Sequence, residues 1–93
     1  MVTWDEKKRK QVIKDHGIDF GKIADVFQDQ FAIIEKDLDH SDVEERWIAI
    51  ARSSEYGLLG VVYTFRDDEI RLITARRAEK WMARIYEKQR DRS

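Results

Sequence analysis

From Ile70 to Lys88 the spacing of apolar residues changes period in mid-stretch. Ile70, Leu72 and Thr74 alternate with Arg71, Ile73 and Ala75, which predicts a strand. From Ala78 onward the apolar residues fall at Ala78, Trp81, Met82, Ile85 and Tyr86, one stripe of an amphipathic helix. A strand therefore runs almost directly into a C-terminal helix, and Arg76 and Arg77 sit at the junction.

The preceding chain supplies the layers for that unit. Thr3-Trp4-Asp5-Glu6 has capping-box spacing. It predicts a first helix from about Trp4 to Asp15 or His16, ended by Gly17 at positive φ. Its apolar stripe, Trp4, Val12 and Ile13, is thin. Asp19 is placed to cap a shorter helix through about Phe27, with Phe20, Ile23, Ala24 and Phe27 inward. The period then shifts to two. Phe31–Glu35 predicts a strand, Asp37–Val43 an acidic turn, and Glu45–Arg52 a second strand. On that strand Trp47, Ala49 and Ala51 share one face, and Arg46, Ile48, Ile50 and Arg52 the other. Ser53–Gly57 reads as a hairpin loop. Leu58–Phe65 is a continuous apolar run, as expected of a central strand covered on both faces. Arg66–Glu69 is a tight turn into the fourth strand, Ile70–Ala75. The order ααββββα with short connections predicts an α+β fold: a four-stranded antiparallel sheet with helices on one face. The expected buried set is Trp4, Phe20, Phe27, Trp47, Val61, Tyr63, Ile73, Trp81 and Ile85.

Composition narrows the class. Ninety-three residues, 42% hydrophobic with ten aromatics, suffice for one small folded domain spanning 1–93. Charged residues reach 40%, yet the net charge is −1, which argues against a uniformly nucleic-acid-coating surface. The distribution is uneven. Residues 27–47 carry seven acids against Lys36 and Arg46, whereas residues 66–93 carry nine basic groups against six acidic ones. With no cysteine there is neither disulfide nor thiolate chemistry, and no apolar run reaches membrane length. A cytoplasmic protein is the expectation.

The blocks WDEKKRKQVIKDHGIDF, DHSDVEERWIAI and IRLITARRA, with the Tyr86-Glu87 ending, resemble BrnT-type toxins of bacterial type II toxin–antitoxin modules. The resemblance covers nearly the whole chain, in the family's order and spacing. It implies a RelE-like fold, a ribonuclease that inhibits translation, and neutralisation by a BrnA-type antitoxin that also binds operator DNA. The complex it implies is a hetero-oligomer of two toxins and two antitoxins. The chain carries Ala51, Thr74 and Met82 where the family commonly has Gly, Ser and Glu, and Val12 and Asp15 where it usually has Asn and Lys. Those departures keep open an alternative, a catalytically weak BrnT-like binding protein acting within an antitoxin and operator complex.

Metal-free RNA cleavage needs a base at the ribose 2′-hydroxyl, cations on the phosphate oxygens and an acid at the departing 5′-oxygen. Arginine suits the second role, because its planar fork grips phosphate at two points. Arg46, Arg71 and Arg76 are the candidate catalytic arginines. Alternation puts Arg71 and Arg76 on opposite faces unless a bulge intervenes. Each has a bland alternative, an ion pair with the acidic middle of the chain. His16 is the candidate acid or base, although a histidine at a helix C-terminus before a glycine is as readily structural. Lys8, Lys14, Arg77 and Tyr86 are candidate RNA contacts, with solvated charge and, for Tyr86, core packing as the competing roles. A His40–Asp39–His16 cluster lacks a recognised metal spacing, so no metal or cofactor is expected.

Overall fold

The computed structural model describes residues 1–40 and 44–92, the His40 side chain excepted. Strand β1 is Val2–Thr3, helix α1 Glu6–His16, β2 Ile33–Lys36, β3 Trp47–Ser53, β4 Gly57–Arg66, β5 Glu69–Arg77 and helix α2 Lys80–Asp91. The sheet has five strands in the order β1-β5-β4-β3-β2. All pairings are antiparallel except β1 with β5, which is parallel, so the sheet is mixed rather than four-stranded and antiparallel.

The fifth strand comes from the residues expected to cap the first helix. β5 offers its unpaired edge, and Val2 and Thr3 take it, opposite Ile70 and Arg71. The Thr3 hydroxyl donates to the Ile70 carbonyl at 3.3 Å. Capping of α1 falls to Asp5, whose carboxylate accepts the Lys7 amide at 2.9 Å. Gly17 ends the helix in the left-handed region at φ 69°, as expected. The second predicted helix resolves into two 3-10 turns, Phe20–Lys22 and Ala24–Gln28. Nine residues are too few to sustain an α-helix alone, and Asp25 and Asp29 turn outward to accept the amides of Ser54 and Arg52.

Alternation on β3 divides the core. Trp47, Ala49 and Ala51 join Leu59, Val61, Tyr63, Leu72 and Ala75 against Val12 of α1 and the 3-10 turns. Ile50 and Ile48 face the other way, against Met82, Tyr86 and Ile85 of α2. The helices therefore cover opposite faces of the sheet, not one, because β3 and β4 carry apolar residues on both. β4 is the central strand, as its unbroken apolar run predicts.

The hairpin between β4 and β5 carries the expected tight turn. Arg66 pairs with Glu69 across Asp67 and Asp68, both at positive φ (54° and 64°), the backbone of a two-residue turn matched to strand twist. The acidic turn at Asp37–Val43 begins as a 3-10 turn, Leu38–His40, and its Ser41–Val43 portion lies outside the described residues. Within the expected buried set, Phe20, Val61, Tyr63 and Ile73 are buried, and Trp4, Phe27, Trp47 and Ile85 are half-buried. Trp81 departs most, at 46% exposed. It sits in the first turn of α2, where side chains lean back toward the helix N-terminus and find no preceding turn to pack on.

Candidate active site

A β-bulge decides which side chains can meet. Val62 of β4 pairs with Thr74 and the next residue, Tyr63, with Leu72, so Ile73 is an extra residue on β5. Leu72 and Ala75 consequently both enter the core on the α1 side. Arg71 and Arg76 are thereby thrown onto the same, opposite face.

On that face, beside the N-terminal end of α2, lies a groove of about 410 Å³. Its floor is apolar: Ile48, Gly60, Val62 and Ile73. A Cβ at Gly60 would stand 3.0 Å from the Met82 sulfur, so a side chain there would have to displace the tip of Met82. His16, Arg46 and Arg76 bring imidazole and guanidinium groups to the walls, with Asp37, Asp39 and Glu79 opposing them and Trp81 of α2 at the lip. A smaller depression of about 150 Å³ adjoins it, sharing Arg46 and Ile73 and adding Lys8, Arg66 and Arg71. Arg46 thus stands between the two.

The cations are held by carboxylates. Arg76 Nη2 bonds Glu79 Oε1, three residues on. Glu44 lies between two arginines, 3.9 Å from Arg46 and 3.5 Å from Arg66. Such half-buried to exposed pairs are weak and exchangeable, so they position a guanidinium without committing it. Glu79 is also the N-cap of α2 but makes no side-chain cap hydrogen bond, and with Trp81 and Met82 of the first turn it lines the groove.

The remaining sequence candidates lie elsewhere. Arg77 points away, donating to the His16 carbonyl at 3.2 Å with its guanidinium 5.8 Å from the Tyr56 ring centre. Lys14 is exposed in the last turn of α1, outside both depressions. Tyr86 is 2% exposed and donates its hydroxyl to Asp29 Oδ2 at 2.8 Å. Burial, reinforced by that carboxylate, pushes the phenol above its ordinary range. The structure therefore brings together His16, Arg46 and Arg76, places Arg71 and Lys8 alongside, and keeps Lys14, Arg77 and Tyr86 apart. Sequence reasoning missed Thr74, Glu79 and Trp81 as groove residues; the spacing of Glu79 three residues after Arg76 was the available signal. Among the described residues, no three His, Asp or Glu side chains are grouped to hold a metal ion.

A family model described as the ribonuclease toxin BrnT of type II toxin–antitoxin systems matches residues 4–81. The chain belongs to the BrnT family. Its fold is similar to the 1.1 Å crystal structure of the Brucella abortus ribonuclease toxin BrnT, with TM-score 0.66 and 26% identity over 85% of this chain and 96% of that one. None of the curated protein sequences matches the chain. Membership makes this BrnT protein a ribonuclease toxin whose partner is an antitoxin. Of the positions that depart from the usual BrnT pattern, Thr74 and Met82 line the groove, whereas Val12 and Asp15 do not. Val12 is buried against the sheet, and Asp15 accepts a 2.8 Å hydrogen bond from Gln11 on the exposed side of α1.

Proposed function

We propose that the groove between β5 and the start of α2 is where this protein cleaves RNA, without a metal ion. The observation that carries the proposal is the bulge at Ile73, which gives Arg71 and Arg76 a common face with Arg46. The ribose 2′-oxygen attacks the adjacent phosphorus, and its proton passes to a base. The bond to the 5′-oxygen breaks as that oxygen is protonated, leaving a 2′,3′-cyclic phosphate and a 5′-hydroxyl. Arg76 and Arg46 meet the charge that develops on the phosphorane oxygens. His16 brings an imidazole to the groove, a side chain with both a proton donor and a proton acceptor to offer. Glu79 opposite it is a carboxylate able to accept a proton. Lys8, Arg66 and Arg71 guide the strand toward the groove.

The chain works in the cytoplasm, as one toxin domain over residues 1–93. A BrnA-type antitoxin neutralises it by covering the arginine-bearing surface, in an assembly of two toxins and two antitoxins, and only the antitoxin contacts operator DNA. The deciding experiment follows bacterial growth and cleavage of RNA by purified protein. Arg76→Ala should abolish both while leaving the antitoxin complex intact. Undiminished cleavage by Arg76→Ala would move the site elsewhere. The carboxylate pairing of Arg46, Arg66 and Arg76 favours a second reading, a catalytically weak binding protein within the antitoxin complex. Unimpeded growth on expression of the unaltered chain, with tight antitoxin binding, would establish that one.

A further inference from the structure

Trp81 is the largest side chain that α2 fails to bury. Met82 and Tyr86, at 5% and 2% exposed, dock the helix on Ile50, with Ala78 and Ile85 flanking. Trp81 takes no part in that cluster, yet it lines the groove at 46% exposed, with Arg76 on the neighbouring wall. Beneath it the floor is apolar, formed by Val62, Ile73 and the Met82 side chain. An indole, an apolar floor and a guanidinium at one edge match the chemistry of a nucleotide, with its flat base and charged phosphate.

We propose that Trp81 is a stacking platform for an unpaired RNA base next to the phosphate held by Arg76. This rests on the groove being the cleavage site. The substrate it selects is single-stranded, because in an RNA duplex the base faces are already covered and only an unstacked base can lie on an indole. Glu79 strengthens the arrangement: its bond to Arg76 keeps the guanidinium at the rim, where it meets the phosphate and not the base.

The test uses the full-length protein and a short labelled single-stranded RNA whose 2′-hydroxyls are all methylated, so that it binds without being cut. Trp81→Ala should weaken binding by roughly 5- to 100-fold, the range for one lost base–aromatic stack. Trp81→Phe should stay within a few-fold of the unaltered protein. Indole fluorescence should be quenched by the unlabelled RNA and the quenching lost in Trp81→Phe, which retains Trp4 and Trp47. Ile34→Ala, an exposed apolar position on β2 outside the groove, should bind normally. Unchanged affinity in Trp81→Ala, quenching that survives in Trp81→Phe, or a loss of antitoxin affinity alone would each overturn the platform. Unmodified RNA separates the two claims. Cleavage by Trp81→Ala equal to that of the unaltered protein sinks the platform and leaves the groove as the cutting site. Trp81-dependent binding without any cleavage sinks the cutting site and leaves the platform.

Discussion

The Tyr86 hydroxyl and the Asp29 carboxylate meet at 2.8 Å, joining α2 to the segment just before β2 across 57 positions of sequence. Asp29 also accepts the Phe31 amide on one oxygen and the Arg52 amide on the other. One carboxylate therefore ties three elements. Asp29→Ala strips all three bonds and should cost roughly 2–3 kcal/mol, as expected for hydrogen bonds to a charged group. In a chain of this size that lowers the thermal midpoint by about 10 °C or more, measurable by circular dichroism. A midpoint within a degree or two of the unaltered protein would refute the tie.

The same carboxylate sets an acid limit. Burial alone would raise the Asp29 pKa, but the Arg52 and Phe31 amides and the Tyr86 hydroxyl outweigh it and hold it below the ordinary value. Asp19 is lowered too, by its bonds to Arg9 and to the Gly21 amide. A depressed folded-state pKa gives stability that is complete above the unfolded value, about 3.9, and is lost as pH falls through the folded one. Melting temperature should stay level from neutral pH down to about 5 and drop below about 4. In Asp29→Asn part of that acid drop should vanish; an unchanged profile would remove Asp29 from the account.

For α2 the order of two truncations is the prediction. Met82 is buried beneath the helix, so Met82→Ala should cost roughly 2–5 kcal/mol. Trp81→Ala, at a half-exposed position, should cost clearly less despite removing the larger side chain. Denaturant melts that reverse this order would place Trp81 back in the core.

Catalysis has its own order. Arg76→Ala should lose about 100- to 1,000-fold in cleavage rate, the usual toll of one donor to a developing oxyanion. Arg71→Ala, acting from the adjoining depression, should lose less. Arg76→Lys should rescue only in part, since an ammonium cannot reproduce the two-pronged contact. Arg84→Ala, on the exposed side of α2, is the control and should cut normally. Chelator should leave the rate unchanged, and a rate abolished by EDTA would end the metal-free scheme.

Much of this frame was legible in the sequence. Period-two alternation identified both faces of β3, the unbroken apolar run identified β4 as central, and Asp67-Asp68 marked its turn. What escaped were features settled by neighbours and not by pattern. Val2 and Thr3 are too few to show a period, and they become a strand only because β5 leaves an edge unpaired. Trp81 fits an apolar stripe by spacing, but the helix begins only one residue before it. The bulge at Ile73 carries no glycine or proline to announce it, and Ile70–Ala75 reads as plain alternation. His16, Arg46 and Arg76 could be named from chemistry, but their meeting could not.

The bulge makes the site a matter of parity. Five positions separate Arg71 from Arg76, an odd number, and an odd count puts two strand residues on opposite sides. The extra residue at Ile73 absorbs one step and makes the effective separation even. Deleting the extra residue would leave four positions, which a regular strand also puts on one side, whereas a single insertion beside a retained bulge would part the two arginines even if every side chain were kept. Within this stretch of β5 the chain's length is itself under chemical constraint, and a frame-preserving gain of a single codon beside the retained bulge should disarm the toxin as surely as loss of an arginine.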